Sequence, residues 1–139
     1  MKKNDPISHI MTKNPATVHT RQNISDVRRL MSESRFHHVP VVSGEKLLGM
    51  VSASDLLAIR VEGVGADDRA MDAYLDQQFS IEGVMCKDLR TLKTTDSVRD
   101  AAKELASGSF HALPVVDGED RLQGIVTSTD LVRYLLDQY

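Results

Sequence analysis

The sequence predicts an α/β protein of the α+β type in which one strand-helix-strand-strand-helix unit is written twice. Two observations predict the duplication. The stretch FHHVPVVSGEKLLGMVSASDLL at Phe36 to Leu57 returns as FHALPVVDGEDRLQGIVTSTDLV at Phe110 to Val132. Outside these blocks Ile7, Met11, Thr17 and Ile24 recur as Ile81, Met85, Thr91 and Val98, each displaced by 74 positions. A third observation predicts the contents of each copy: the apolar pattern passes from helical to strand-like and back in the same order both times. Beyond the turn the displacement becomes 75, because Asp120 and Arg121 stand where the first copy has only Lys46. Two copies of one fold tolerate an added residue in a polar turn.

Each element follows from its residues. Ile24, Val27, Leu30 and Met31 share one helical face, as do Val98, Ala101, Ala102 and Leu105, so each copy carries an amphipathic helix. Asn23 and Ser97 are its expected N-caps. Asp26 and Asp100 follow three residues later, at the positive end of the helix dipole. The helices should end near Ser34 and Gly108. A strand then spans Val39 to Val42, or Leu113 to Val116. The turn Ser43-Gly44-Glu45, or Asp117-Gly118-Glu119, leads to a second strand through Leu48 to Val51, or Leu122 to Val126. Pro40 and Pro114 cannot donate to a ladder, which places each at a strand start or a sheet edge. A second helix opens at Ser52 and runs through Leu56, Leu57 and Ile59; its counterpart opens at Thr127 and runs through Leu131, Val132, Leu135 and Leu136.

Residues 1–60 and 81–139 are thus the two copies, and 61–80 is a linker with no counterpart. Gly63 and Gly65 predict a flexible loop from Val61 to Ala66, and Ala70 to Gln78 a short acidic helix, together forming a solvated connector. With 139 residues, 41% of them hydrophobic, the chain can bury a core. Copies of about 60 residues would each be marginal alone, so a shared core is expected. A net charge of -3 and a pI near 5.9 give no general attraction to nucleic acid or anionic lipid. The single Cys86 cannot form an internal disulfide, the N-terminus does not resemble a signal peptide, and no apolar run is long enough to span a membrane. Cytoplasmic location is the expectation.

Chemistry is sought where the copies agree most. Ser52-Ala53-Ser54-Asp55 and Thr127-Ser128-Thr129-Asp130 each set a hydroxyl three residues before an acid, between an apolar strand and a helix. This spacing makes a partial capping box, with Asp in place of the usual Glu. It also leaves a hydroxyl and N–H groups at a helix N-terminus, which suits a phosphate. The carboxylate would repel that phosphate, but it can accept from the hydroxyls of a ribose. A nucleotide would use both groups. There is no nucleophile paired with a base, no phosphate-cradling glycine loop and no zinc-ligand spacing, so neither an enzyme nor a metal site is expected. Cys86 is expected to pack rather than react.

On these residues the chain resembles a stand-alone tandem pair of cystathionine-β-synthase (CBS) domains, a Bateman module, with PVVSGEKLLGMVSASDL and PVVDGEDRLQGIVTSTDL as its signature stretches. The resemblance implies two repeats packed sheet to sheet about a pseudo-twofold axis. It implies two clefts that take AMP, ADP, ATP or S-adenosylmethionine, with no cofactor required. It assigns ribose recognition to Asp55 and Asp130, and phosphate or ribose contacts to Ser52, Ser54, Thr127 and Thr129. Met50 and Ile125 would lie against the adenine ring, or else simply fill the core. Ala16 and Thr17, or Arg90 and Thr91, would read the base edge through backbone groups. His37, His38 and His111 stand where relatives place basic groups facing phosphates, and Ala112 is the counterpart of His38. The clefts should therefore differ, and histidine or alanine in place of arginine disfavours tight triphosphate binding.

The implied function is that of an adenosine-ligand sensor, with a ligand-free dimerisation scaffold as the alternative. Because the chain ends at Tyr139, its output is expected in trans, on an unidentified regulated protein, or through a homodimer. Leu56, Leu57, Leu131 and Leu135 either supply that dimer interface or fill the internal core.

Overall fold

The computed structural model describes residues 4–34, 37–59, 68–108 and 110–139. The loop expected at Val61 to Ala66 lies outside them. Its elements are β1 (Thr12–Lys13), β2 (Val18–His19), α1 (Ile24–Ser34), β3 (His38–Ser43), β4 (Lys46–Ser52), α2 (Ala53–Ala58), α3 (Asp68–Gln78), α4 (Ile81–Val84), β5 (Leu92–Lys93), α5 (Val98–Ala106), β6 (Ala112–Val116), β7 (Leu122–Thr127) and α6 (Ser128–Asp137). The strand-helix-strand-strand-helix order appears twice, as β2-α1-β3-β4-α2 and β5-α5-β6-β7-α6. No helix among the described residues is long and apolar enough to cross a membrane.

The chain forms two compact units, which we name by the acid each contains. The Asp55 unit comprises Ala16–Gly44 and Leu48–Asp88; the Asp130 unit comprises Met1–Pro15, Glu45–Leu47 and Leu89–Tyr139.

In the Asp55 unit the sheet order is β2-β3-β4, with β2 parallel to β3 through Val18 opposite Val41 and His19 opposite Val42. Val18, Ile24, Val27, Val39, Val41 and Val51 form its core together with Met71, Leu75, Ile81 and Met85. Two of these, Met71 and Leu75, belong to α3, so the supposed connector is a core element rather than a solvated link. Their i,i+4 spacing puts one narrow apolar stripe on a largely acidic helix. The opposite chemistry seals its flank. The Asp76 carboxylate accepts from the Ser25 N–H at 2.9 Å and from the Ser25 hydroxyl at 2.6 Å, and Asp72 pairs with Arg28.

In the Asp130 unit the sheet order is β1-β7-β6-β5. Ile7, Leu92, Ala101, Leu105, Leu113, Val115 and Val126 form its core. Ser97 caps α5 as expected: its hydroxyl accepts from the Asp100 N–H at 3.2 Å, and its own N–H donates to the Asp100 carboxylate at 2.9 Å. At α1 the Asn23 N–H donates in the same way to Asp26, at 2.8 Å. Gly108, with φ +78°, follows α5 in the left-handed region that glycine adopts freely.

The prolines correct an expectation. Pro40 and Pro114 sit third in β3 and β6, which are central strands. Pro114 stands opposite Ile125 on β7, while on its other side the two-residue β5 begins its pairing at Val115. The short neighbour leaves the position before Val115 without a ladder bond to lose. Pro40 stands in the same relation to β2, whose pairing begins at Val41.

Each unit also borrows a segment from the other copy. β1, from the first copy, runs antiparallel to β7, with Thr12 opposite Ile125 and Lys13 opposite Gly124. In the Asp55 unit Cys86, from the second copy, exchanges both backbone bonds with Met50, at 3.0 and 2.8 Å. Upstream of β1, the Ile7 N–H donates to the Asp96 carbonyl and the Val98 N–H to the Asp5 carbonyl, both at 2.8 Å.

Candidate functional site

The functional candidates fall into two sets, one in each unit. In the Asp55 unit, β4 carries Met50 and then Ser52, the N-cap of α2. The Ser52 hydroxyl accepts from the Asp55 N–H at 3.1 Å, and the Ser52 N–H donates to Asp55 Oδ2 at 2.8 Å. The capping box predicted from the spacing is complete. Ala53, the first residue of α2, donates its N–H to the His37 carbonyl at 2.8 Å. This bond brings the residue before β3 to the start of the helix. His37 is exposed, His38 is half-buried at the first position of β3, and Ser54 is exposed one residue before Asp55. Ala16 and Thr17, both half-buried, lead directly into β2. A cleft of about 430 Å³ opens beside His37 and Ala53, bounded by Arg28, Met31, Leu56 and Met71.

The Asp130 unit repeats the arrangement. The Thr127 N–H donates to Asp130 Oδ2 at 2.9 Å, and the Thr127 hydroxyl lies 3.3 Å from the same oxygen. Ala112, buried at the start of β6, stands opposite Thr127. His111 is exposed just before it, and Thr129 is exposed one residue before Asp130. Arg90 and Thr91 are exposed and lead into β5. The Arg90 guanidinium pairs with Glu104 on α5 at 3.2 Å.

Met50 and Ile125 are 5% and 8% exposed. Their strand neighbours Val51 and Val126 belong to the helix-side cores, whereas they do not. Strand alternation places them on the opposite sheet face. Among the leucines, Leu56 and Leu131 are half-buried against the cores, while Leu57, Val132, Leu135 and Leu136 are exposed. Of the four leucines weighed from sequence, Leu56 and Leu131 thus fill the cores in part, and Leu57 and Leu135 do not.

Three features were not read from sequence. Gly49 and Gly124 occupy equivalent positions, and a Cβ on Gly49 would stand 2.7 Å from Met85 Sδ and 2.8 Å from the Cys86 carbonyl. A Cβ on Gly124 would stand 2.7 Å from the Thr12 carbonyl and 2.8 Å from Met11 Sδ. The recurrence of glycine in register was the available signal. Cys86 contributes its backbone while its side chain is exposed, with Sγ 3.7 Å from the Asp88 carbonyl; the expectation that it packs is corrected. Tyr134 on α6 donates to Asp5 in the borrowed segment.

The family model for the CBS domain matches residues 7–62 and again 81–137. The chain belongs to the CBS-domain family. Its two matches make it a CBS pair. An uncharacterized protein of Methanocaldococcus jannaschii is 31% identical over 134 residues, covering 95% of this chain and 44% of that protein. A homoserine O-acetyltransferase of Methanobrevibacter ruminantium is also 31% identical over 134 residues, covering 96% of this chain and 24% of that enzyme. This CBS pair thus spans less than half the length of both. Among solved structures, CBSX2 in complex with AMP superposes with a TM-score of 0.80 at 25% identity, covering 96% of this chain and 98% of that one.

Proposed function

We propose that this CBS pair is a non-catalytic regulatory module that binds an adenosine-containing ligand, with AMP the first candidate. The observation that carries the reading is the duplicated cap. At Asp55 and at Asp130 a carboxylate half-exposed at a helix N-terminus sits beside a strand that carries a buried apolar residue two positions before the cap hydroxyl. The cap engages Oδ2 in both copies, and a carboxylate has a second oxygen with which to accept from a ribose hydroxyl. Capping and ribose binding are therefore compatible on one side chain. Met50 and Ile125 would meet the flat face of the base, where apolar burial supplies affinity without charge. His37, His38 and His111 would face the phosphate, with Ser52, Ser54, Thr127 and Thr129 adding hydroxyl donors. The backbone at Ala16, Thr17, Arg90 and Thr91 would read the base edge. Ala112, where the other copy has His38, makes the second site the less basic of the two. The AMP named for CBSX2, a relative aligned over nearly its whole length, supports this ligand class.

Regulation requires that the ligand prefer one conformation of the module over another. On α6 the exposed Val132, Leu135 and Leu136, and on α2 of the other unit the exposed Leu57, would each offer apolar contact to a homodimer or a regulated protein. The exposed, free thiol of Cys86 fits a reducing compartment such as the cytoplasm.

One observation favours a second reading, a scaffold with no ligand: each acid is already engaged by its own cap residue, Asp55 by the Ser52 N–H and Asp130 by the Thr127 N–H. Thermal unfolding with AMP, ADP, ATP and S-adenosylmethionine, against guanine nucleotides, separates the two. At 100 times its dissociation constant a ligand adds about 2.7 kcal/mol. We expect a stabilisation specific to adenosine ligands, stronger for AMP than for ATP, and reduced in Asp55→Ala or Asp130→Ala. Equal unfolding temperatures across the whole panel would leave the scaffold.

A further inference from the structure

The sites of the two copies are alike at their caps and unlike one helical turn further on. Asp130 and Tyr134 are four residues apart on α6, hence on one face of a ten-residue helix. Tyr134 donates its hydroxyl to the carboxylate of Asp5, and that bond holds the phenol above its ordinary pKa. At the corresponding positions the Asp55 unit has Ile59 and Phe79, two apolar side chains packed against its core. Only the Asp130 copy therefore has a polar bond at this place among the paired positions.

Asp5 opens the borrowed segment. Its carbonyl accepts from Val98, Ile7 beyond it is fully buried, and at the far end Thr12 pairs with Ile125. The segment is thus held at both ends by groups that flank the proposed site: Tyr134, one turn beyond the ribose acceptor, and Ile125, the residue against the base. We infer that the Tyr134–Asp5 bond is a latch through which ligand at the Asp130 site tightens the docking of residues 5–13. Tyr134 is a positioning residue in this scheme. It acts through α6 and does not touch the ligand. The inference rests on the proposed adenosine site. Because coupling is reciprocal, breaking the latch must weaken the ligand by the factor that the ligand strengthens the latch.

The test uses the full chain carrying Asp55→Ala, so that only the Asp130 site is read. AMP binding is followed by calorimetry, and hydrogen–deuterium exchange of peptides covering residues 5–13 is measured with and without AMP. We expect AMP to slow exchange in this segment. Adding Tyr134→Phe should abolish that slowing and weaken AMP by about fivefold, with exchange in β6 unchanged. Asp5→Ala removes the same bond from the other side and must reproduce both effects, which guards against a tyrosine variant that fails to fold. Ligand-dependent slowing that survives both substitutions would overturn the latch and leave the binding site standing. Absence of AMP binding to the unsubstituted protein would instead remove AMP as ligand, and the latch with it.

Discussion

Gly124 is a place where one atom decides the packing. The Thr12 carbonyl comes within 2.7 Å of where a Cβ would stand, closer than a methyl and a carbonyl oxygen tolerate. Gly124→Ala should therefore destabilise the protein by about 1–3 kcal/mol, as over-packing does, whereas Gly118→Ala, whose Cβ meets nothing within 4 Å, should leave the melting temperature nearly unchanged. The turn that contains Gly118 makes a second residue-scale prediction. In the first copy Gly44 takes the left-handed conformation with φ +61°; in the second that role passes to Asp120, also at φ +61°. Asp117 organises the longer turn, accepting from the Glu119 and Arg121 N–H groups at 2.9 and 3.0 Å and from Arg121 Nε at 2.7 Å. Burial opposes its charge, yet these bonds outweigh that effect and hold its carboxyl below the ordinary 3.8. A carboxyl with a lowered folded-state pKa stabilises fully above its unfolded value and loses that contribution as pH falls through the folded one. Asp117→Asn should thus be less stable than the parent at neutral pH, and the gap should close below about pH 4. Chemical denaturation across that range measures it. Both caps were legible from sequence because capping is a three-residue affair, and the hydroxyl and acid announce it. The glycine contacts were not, because the atoms they avoid come from distant segments.

At the scale of elements, α3 shows why an acidic helix can belong to a core. Its residues are mostly charged or small, and their average polarity reads as solvent. Met71 and Leu75 are buried, Tyr74 packs half-buried against the same core, and Leu75 is 2% exposed. Leu75→Ala should cost about 2–5 kcal/mol. Asp72→Ala, which breaks a pair whose side chains are about one-third exposed, should cost only about 0.2–1 kcal/mol; thermal melts of the two variants distinguish a core helix from a tethered one. The helix itself was legible in its composition, but its burial was not, since Met71, Tyr74 and Leu75 are too few among charged and small residues to reveal a face. The hairpins were legible to within a residue or two because alternation and turn glycines are local signals. The central prolines misled because the reach of β2 and β5, each two residues long, is set by how far parallel pairing extends and not by any residue beside the proline.

For the whole molecule, duplication was the plainest signal in the chain, and it correctly implied two alike units. What it hid is that each unit is completed by the other copy. Residues 81–139 expressed alone would lack Ile7 and β1, and residues 1–60 would lack the Cys86 bridge and the α3 side chains. We expect neither fragment to melt cooperatively by itself, and circular dichroism of each, alone and mixed, checks this; a fragment that melts as sharply as the full chain would contradict the exchange. The borrowed segments also bear on how such a chain can change over time. A single ancestral copy that paired with its twin through this segment would have been a domain-swapped dimer, and joining the two genes end to end would have preserved the swap within one polypeptide. The two halves are then not free to diverge separately: a larger residue at Gly124 meets the Met11 side chain and the Thr12 backbone of the opposite copy, and one at Gly49 the Met85 side chain and the Cys86 backbone. The constraint is reciprocal inheritance, in which each repeat carries part of its neighbour's edge.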